Sequence, residues 1–402
     1  MDTLKKQSSI GIGFLGLILL TTALFISFEN KILWLSLSFL LMTMGGLVYF
    51  QTVYGKRLPG IKNDGVWFSA LSSRGLMGWV LGMGLTAFYI AIYWFQEVLG
   101  FNTQSDSSGL VALFDPLSYL LNGQAATQWF LYGTLYTFAI LLFGVKFIWK
   151  YWGNRYQLFR TLSVMFFQLC FAFLIPEILA KLNPSTPYFA KDLKNMWPLN
   201  YYFLDDWHLT NMITGGNLGL FFLLFGLALV FIGSPILTYF YGKRWYCSWV
   251  CGCGALAETA GDPFRQLSSK KLSVWKFERW MIHAVLVFVT VTTIAALWSF
   301  ITQNPELSIF SREQFIGGVV LVLLVLMAAL FFWRKDGLEK DAKYTLISLG
   351  SVLILSLTIQ GFSGQNNILF LNSYSFQKWY GFGIEAAISG VLGVGFYPYL
   401  RN

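Results

Sequence analysis

Apolar residues along this chain come in blocks of roughly 20, separated by short stretches where Lys, Arg, Asp, Glu and Pro collect. A block of that length crosses a hydrocarbon core ~30 Å thick at 1.5 Å per residue. Inside such a core every backbone N–H and C=O must be bonded within its own segment, so each block reads as helix. The blocks fall at 8–28, 32–54, 75–95, 127–145, 156–176, 217–240, 280–300, 315–333, 344–360 and 380–400. The pattern predicts an all-α, polytopic transmembrane helical bundle of about 10 spans. The last two blocks carry the weakest pattern, because 344–360 is short and 380–400 holds Glu385 and five glycines. The first block follows Lys5 and Lys6 as a signal peptide would. Its length, the lack of a small-residue cleavage pattern and the immediate start of the next block predict an uncleaved span.

Composition agrees with this reading. Hydrophobic residues make up 56% of the 402 positions and charged residues only 12%, about half the charged share of a soluble domain. The 16 Trp, 20 Tyr and 39 Phe suit lipid contacts and interfacial belts.

Charge then orients the bundle. With a cytoplasmic N-terminus, 22 of the 28 basic residues fall in inner segments, giving a net +14 inside and −5 outside. That is the asymmetry of the positive-inside rule, and it puts both termini in the cytoplasm. A basic inner face beside anionic lipid accounts for the overall +9 charge, so no nucleic-acid partner is expected. The chain divides into an N-terminal transmembrane region, 1–216, whose outer loop 177–216 suits a lid or a loop lying on the bilayer. A second region, 217–402, carries a cytoplasmic cysteine motif at 242–265.

Three of the four cysteines, Cys247, Cys251 and Cys253, fall within seven residues. Cys247 and Cys251, four apart, would share one face of a helical turn. Gly252 and Gly254 would let the chain turn back to bring in Cys253. Clustered thiolates suit a soft metal or an iron–sulfur unit. A disulfide is disfavoured in a reducing compartment, and zinc would want a fourth N or S ligand that neither histidine supplies. Both readings stay open, as does chance clustering. Lys243, Arg244 and Arg265 would favour thiolates, or serve only as membrane anchors. Cys170, deep in a span, reads as a buried and inert thiol. His208 and His283 lie on opposite sides of the membrane and suit no shared haem. Glu385, near the outer interface, reads as solvated.

The residues GKRWYCSWVCGCG at 242–254 and ETAGDPFR at 258–265 resemble the membrane-bound polyferredoxin-type iron–sulfur proteins, the group of NosR, NapH and CcoG. The resemblance implies one-electron transfer through a cytoplasmic-side 4Fe–4S centre ligated by Cys247, Cys251 and Cys253. The partner would be a redox protein or a quinol donor, and the setting the inner (cytoplasmic) membrane of a bacterium. It implies an electron-transfer component more than a self-contained enzyme. Relatives carry a second cysteine motif and a ferredoxin-like tail; here the approach to the second motif, Gly395 to Asn402, is where the sequence stops. The Cys-Pro of relatives is Cys251-Gly252 here, and no fourth ligand is identified in this chain. A truncated or degenerate member binding no cluster is therefore one alternative. A metal-handling or redox-enzyme assembly protein that passes a soft metal such as copper is another.

Overall fold

The structure, a computed structural model, describes residues 2–55, 75–102, 107–185, 191–193, 203–204, 206–242, 244–262, 271–333 and 340–363. Among these residues every regular element is helical. In chain order they are α1 (Asp2–Thr22), α2 (Lys31–Tyr54), α3 (Gly75–Trp94), α4 (Gly109–Leu113), α5 (Asp115–Leu121), α6 (Gln128–Lys150) and α7 (Arg155–Leu182). There follow α8 (Asp206–Thr214), α9 (Gly216–Tyr241), α10 (Trp245–Trp249), α11 (Gly252–Thr259), α12 (Leu272–Gln303), α13 (Arg312–Trp333) and α14 (Lys340–Ser363).

Six of these helices, α2, α6, α7, α9, α13 and α14, contain stretches long and apolar enough to cross a membrane. They coincide with six of the ten blocks, including the short one at 344–360. The blocks at 8–28, 75–95 and 280–300 also meet helix, in α1, α3 and α12. The block at 380–400 with Glu385 lies outside the described residues, as do 186–190, 194–202 and 205 of the loop 177–216.

Helix starts are set by local polar residues. Asn30, Thr127 and Asn154 each accept a hydrogen bond from a first-turn amide of α2, α6 and α7, occupying donors that have no partner within the helix. Gly242, at φ +82°, ends α9 in a conformation that favours glycine and turns the chain out of the span.

The chain divides into two compact units. The first takes residues 1–194 and 227–268 together with 386–402. In it α1 and α2 form a tight hairpin, so close that a Cβ on Gly45 would stand 2.5 Å from the Gly13 nitrogen. Lipid supplies no hydrophobic drive between helices, and such small-residue contacts let van der Waals packing replace it. The core of this unit gathers Ile92, Val111, Leu113, Phe114 and Leu131 from α3, α4 and α6. The second unit takes residues 195–226 and 269–385. There Leu209 of α8 packs on Phe300 and Ile301 of α12, and Trp298 packs with Ile316 and Leu357 of α13 and α14. His208 is fully buried beside the Phe203 and Trp207 rings.

Candidate functional site: a cysteine segment folded against two spans

The cysteine segment belongs to the first unit and is not a continuous helical turn. α10 carries Cys247 and ends at Val250; Cys251 is extended (φ −71°, ψ 127°) and starts α11. Cys247 and Cys251 therefore do not share a helix face, contrary to their four-residue spacing. Cys251 and Cys253 instead flank Gly252 at the start of α11, and Cys253 is the thiol that takes a hydrogen bond, from Tyr136. The glycines also act otherwise than expected. Neither Gly252 nor Gly254 is among the glycines at positive φ; both allow close approach. A Cβ on Gly252 would lie 2.5 Å from the Gln168 Oε1 and 2.8 Å from the Tyr136 ring, and one on Gly254 would fall on the Cys247 carbonyl.

α6 and α7 supply the frame. The Tyr136 O–H donates to Cys253 Sγ at 3.3 Å. Gln168 donates to Thr137 at 3.1 Å from within a wider π-helical stretch, Phe167–Leu174, that interrupts α7. Such bulges concentrate at functional sites. Ser163 donates to the Trp249 carbonyl at 2.8 Å, and the Trp249 and Tyr156 rings meet edge to face at 5.6 Å.

The far end of α11 is held by charge. Lys146, fully buried, donates to the Thr259 carbonyl at 3.0 Å, satisfying a helix C-terminal acceptor with a cation. Asp262, also buried, accepts from Lys150 at 2.5 Å and from the Tyr151 hydroxyl at 3.1 Å. Arg160 pairs with Glu258 while lying over the Phe147 and Tyr156 rings. Charges withdrawn from water in this way are tolerable because Lys150 and Arg160 meet carboxylates and Lys146 a carbonyl.

Cys247 and Cys253 are exposed and Cys251 half-buried. Among the described residues no three Cys, His, Asp or Glu side chains converge as a metal-ligand group. The structure thus sets two of the three expected thiols at the start of α11. Cys170 stands in the π-helical stretch of α7 and joins no such group. Arg244 begins α10, whereas Lys243 and Arg265 lie outside the described residues. Sequence reasoning missed Tyr136, Ser163 and Gln168, which carry no motif. Lys146, Lys150 and Arg160 enter the sequence reading only within the count of inner basic residues. One signal was present: Lys146 and Lys150 are four apart, as are Glu258 and Asp262, so each pair fits one helix face with opposite sign.

A helical membrane protein with a thiol-bearing segment packed into its bundle is the class these features define. A family model described as a 4Fe-4S binding domain matches residues 222–274, the stretch that holds all three motif cysteines. The match supports an iron–sulfur cluster as the cofactor. The donor set suits it: three soft sulfur ligands within seven residues, one of them already accepting from Tyr136. No curated protein and no solved structure matches the chain.

Proposed function

We propose that this protein is a membrane-bound iron–sulfur electron-transfer component in which Cys247, Cys251 and Cys253 hold a 4Fe–4S centre. The observation that carries the reading is the cysteine segment itself, packed against α6 and α7 with Cys253 accepting from Tyr136, inside the stretch matched by the 4Fe-4S domain. When bound, the cluster accepts and releases single electrons without making or breaking a substrate bond. The chain's own part is to present thiolates, with Tyr136 donating to one sulfur and the buried ion pairs fixing α11. The fourth ligand comes from outside the described residues or from another molecule. Electrons pass between a quinol donor or a redox protein and an acceptor, with the segment entering from the cytoplasmic face. The charge count supports that orientation, about ten spans, both termini inside, and residence in a bacterial inner membrane with lipid as the surrounding partner.

The test is iron and acid-labile sulfide content, with a low-temperature EPR spectrum, on anaerobically purified protein. A Cys247→Ser, Cys251→Ser double variant is run beside it. Iron and sulfide near cluster stoichiometry, lost in the variant, are expected; their absence from both samples would reject the reading. A second reading, soft-metal handling, is favoured by one observation: two thiols at the start of α11, with no third ligand converging among the described residues, suit a low-coordinate metal such as Cu(I). Copper retained in place of iron would decide for it.

A further inference from the structure

The cysteine segment runs beside α6, not beyond its end. Taken in order along the chain, Gly252, Ala255, Thr259 and Asp262 meet Tyr136, Ile140, Lys146 and then Lys150 with Tyr151. α11 is therefore parallel to α6 and level with its second half, and the cysteines lie at the end of α11 farther from Lys150. Two exposed tryptophans bracket this span. Trp129 and Trp149 stand 20 residues apart, about 30 Å of helix, which is the thickness of the hydrocarbon core. Exposed Trp collects at the two interfaces of such a core. Tyr136, whose phenol meets Cys253, is 7 residues from Trp129 and 13 from Trp149, about 10 Å and about 20 Å along the axis.

We propose that the cysteine site is an intramembrane one: residues 245–262 re-enter the bilayer beside α6 and hold Cys251 and Cys253 past the middle of the span. Broken helix at membrane depth is tolerated only where protein satisfies its backbone, and this segment meets that condition. The Val250 and Cys251 amides both bond to the Tyr246 carbonyl, the Trp249 carbonyl is taken by Ser163, and the Thr259 carbonyl by Lys146. Beyond the site the aromatic side chains continue toward the Trp129 end. The Tyr136 and Tyr132 rings lie 5.4 Å apart, Tyr132 shares a 2.9 Å hydrogen bond with Tyr89, and Tyr93 meets Trp129 at 5.3 Å. An electron held at these thiols sits inside the low-dielectric slab, so its exchange partner approaches within the bilayer thickness and not from the water at the Trp149 end. The proposal rests on the membrane reading of α6 and α7, and deepens the electron-transfer reading by relocating its site.

The test places nitroxide labels in the full chain, reconstituted in lipid bilayers with its four cysteines replaced by Ser. One label is put at each of Ala257→Cys on α11, Phe166→Cys on the exposed face of α7, and Trp152→Cys beyond the Lys150 end. Collision with oxygen, which concentrates in lipid, is compared with collision with a water-soluble nickel chelate. The label at 257 is expected to match that at 166 and differ from that at 152. An Ile140→Cys, Ala255→Cys pair is expected to cross-link on oxidation, showing that α11 still lies on α6 in the Ser background. A label at 257 as open to the chelate as that at 152 overturns the proposal, and so does failure to cross-link. A wet label at 166 removes the membrane reading of α7 and the proposal with it. The iron content of the native protein separately decides the electron-transfer reading.

Discussion

The Tyr136 phenol donates a hydrogen bond to Cys253 across 117 residues of sequence, and Gly252 is what lets it come so close. The ring is itself steadied by Tyr132, which is tied to Tyr89 on α3. A donor held this firmly at a cluster sulfur stabilises the reduced, more negative state. Tyr136→Phe should therefore leave iron and sulfide content near that of the native protein and move the midpoint potential to more negative values. An EPR-monitored redox titration reads the shift. An unchanged midpoint would show that the hydrogen bond does not reach a ligating sulfur.

Gly252→Ala puts a methyl group where the Gln168 carbonyl oxygen and the Tyr136 ring already stand. Overpacking of this kind typically costs ~1–3 kcal/mol. The variant should unfold earlier and retain less iron, measured by thermal denaturation in detergent and by metal analysis. Retention equal to native would mean that Gln168 and Tyr136 yield without loss.

The Lys150–Asp262 pair, both side chains almost wholly buried, should behave as a unit. Removing one partner strands a charge, an effect worth ~3–5 kcal/mol. Asp262→Leu alone should lose that much, while the Lys150→Met, Asp262→Leu double variant should recover a large part of it. Chemical denaturation of the native protein, Asp262→Leu, Lys150→Met and the double variant closes the cycle. Additive losses would show that the two groups are not coupled.

Cys170→Ser should change neither iron content nor the EPR spectrum, because this thiol joins no converging ligand group among the described residues. Loss of iron in that variant would identify it as a ligand.

In the hairpin of α1 and α2, Gly45→Val should splay the helices, since even a Cβ there would meet the Gly13 backbone. A cross-link between introduced cysteines at Leu17 and Leu41 should form in the native background and weaken in the variant.

The extent to which each feature was legible in the sequence follows from the range of the forces involved. Transmembrane helices answer to a local rule, since each must satisfy its own backbone in hydrocarbon. Six helices accordingly appear where apolar blocks of roughly 20 residues stand. The C-x3-C-x-C cluster was equally local, and the 4Fe-4S match over 222–274 agrees with its chemistry. The choice of partners was not local. Spacing alone paired Cys247 with Cys251, whereas the break at Val250 leaves Cys247 on a separate helix and the packing of Gly252 against α6 and α7 sets Cys253 on Tyr136. Lys146, Lys150 and Arg160 add only to the inner positive charge when read from sequence, because positive charge near a span end is common to every such protein. Only the return of α11 along α6 shows them buried against Thr259, Asp262 and Glu258. The sequence by itself determined membrane residence, helical class and the thiol chemistry, each set within one segment. The tertiary structure decided which thiol meets Tyr136 and how far along α6 the cysteines lie, because those depend on contacts between segments a hundred residues apart, which no periodicity along one segment encodes.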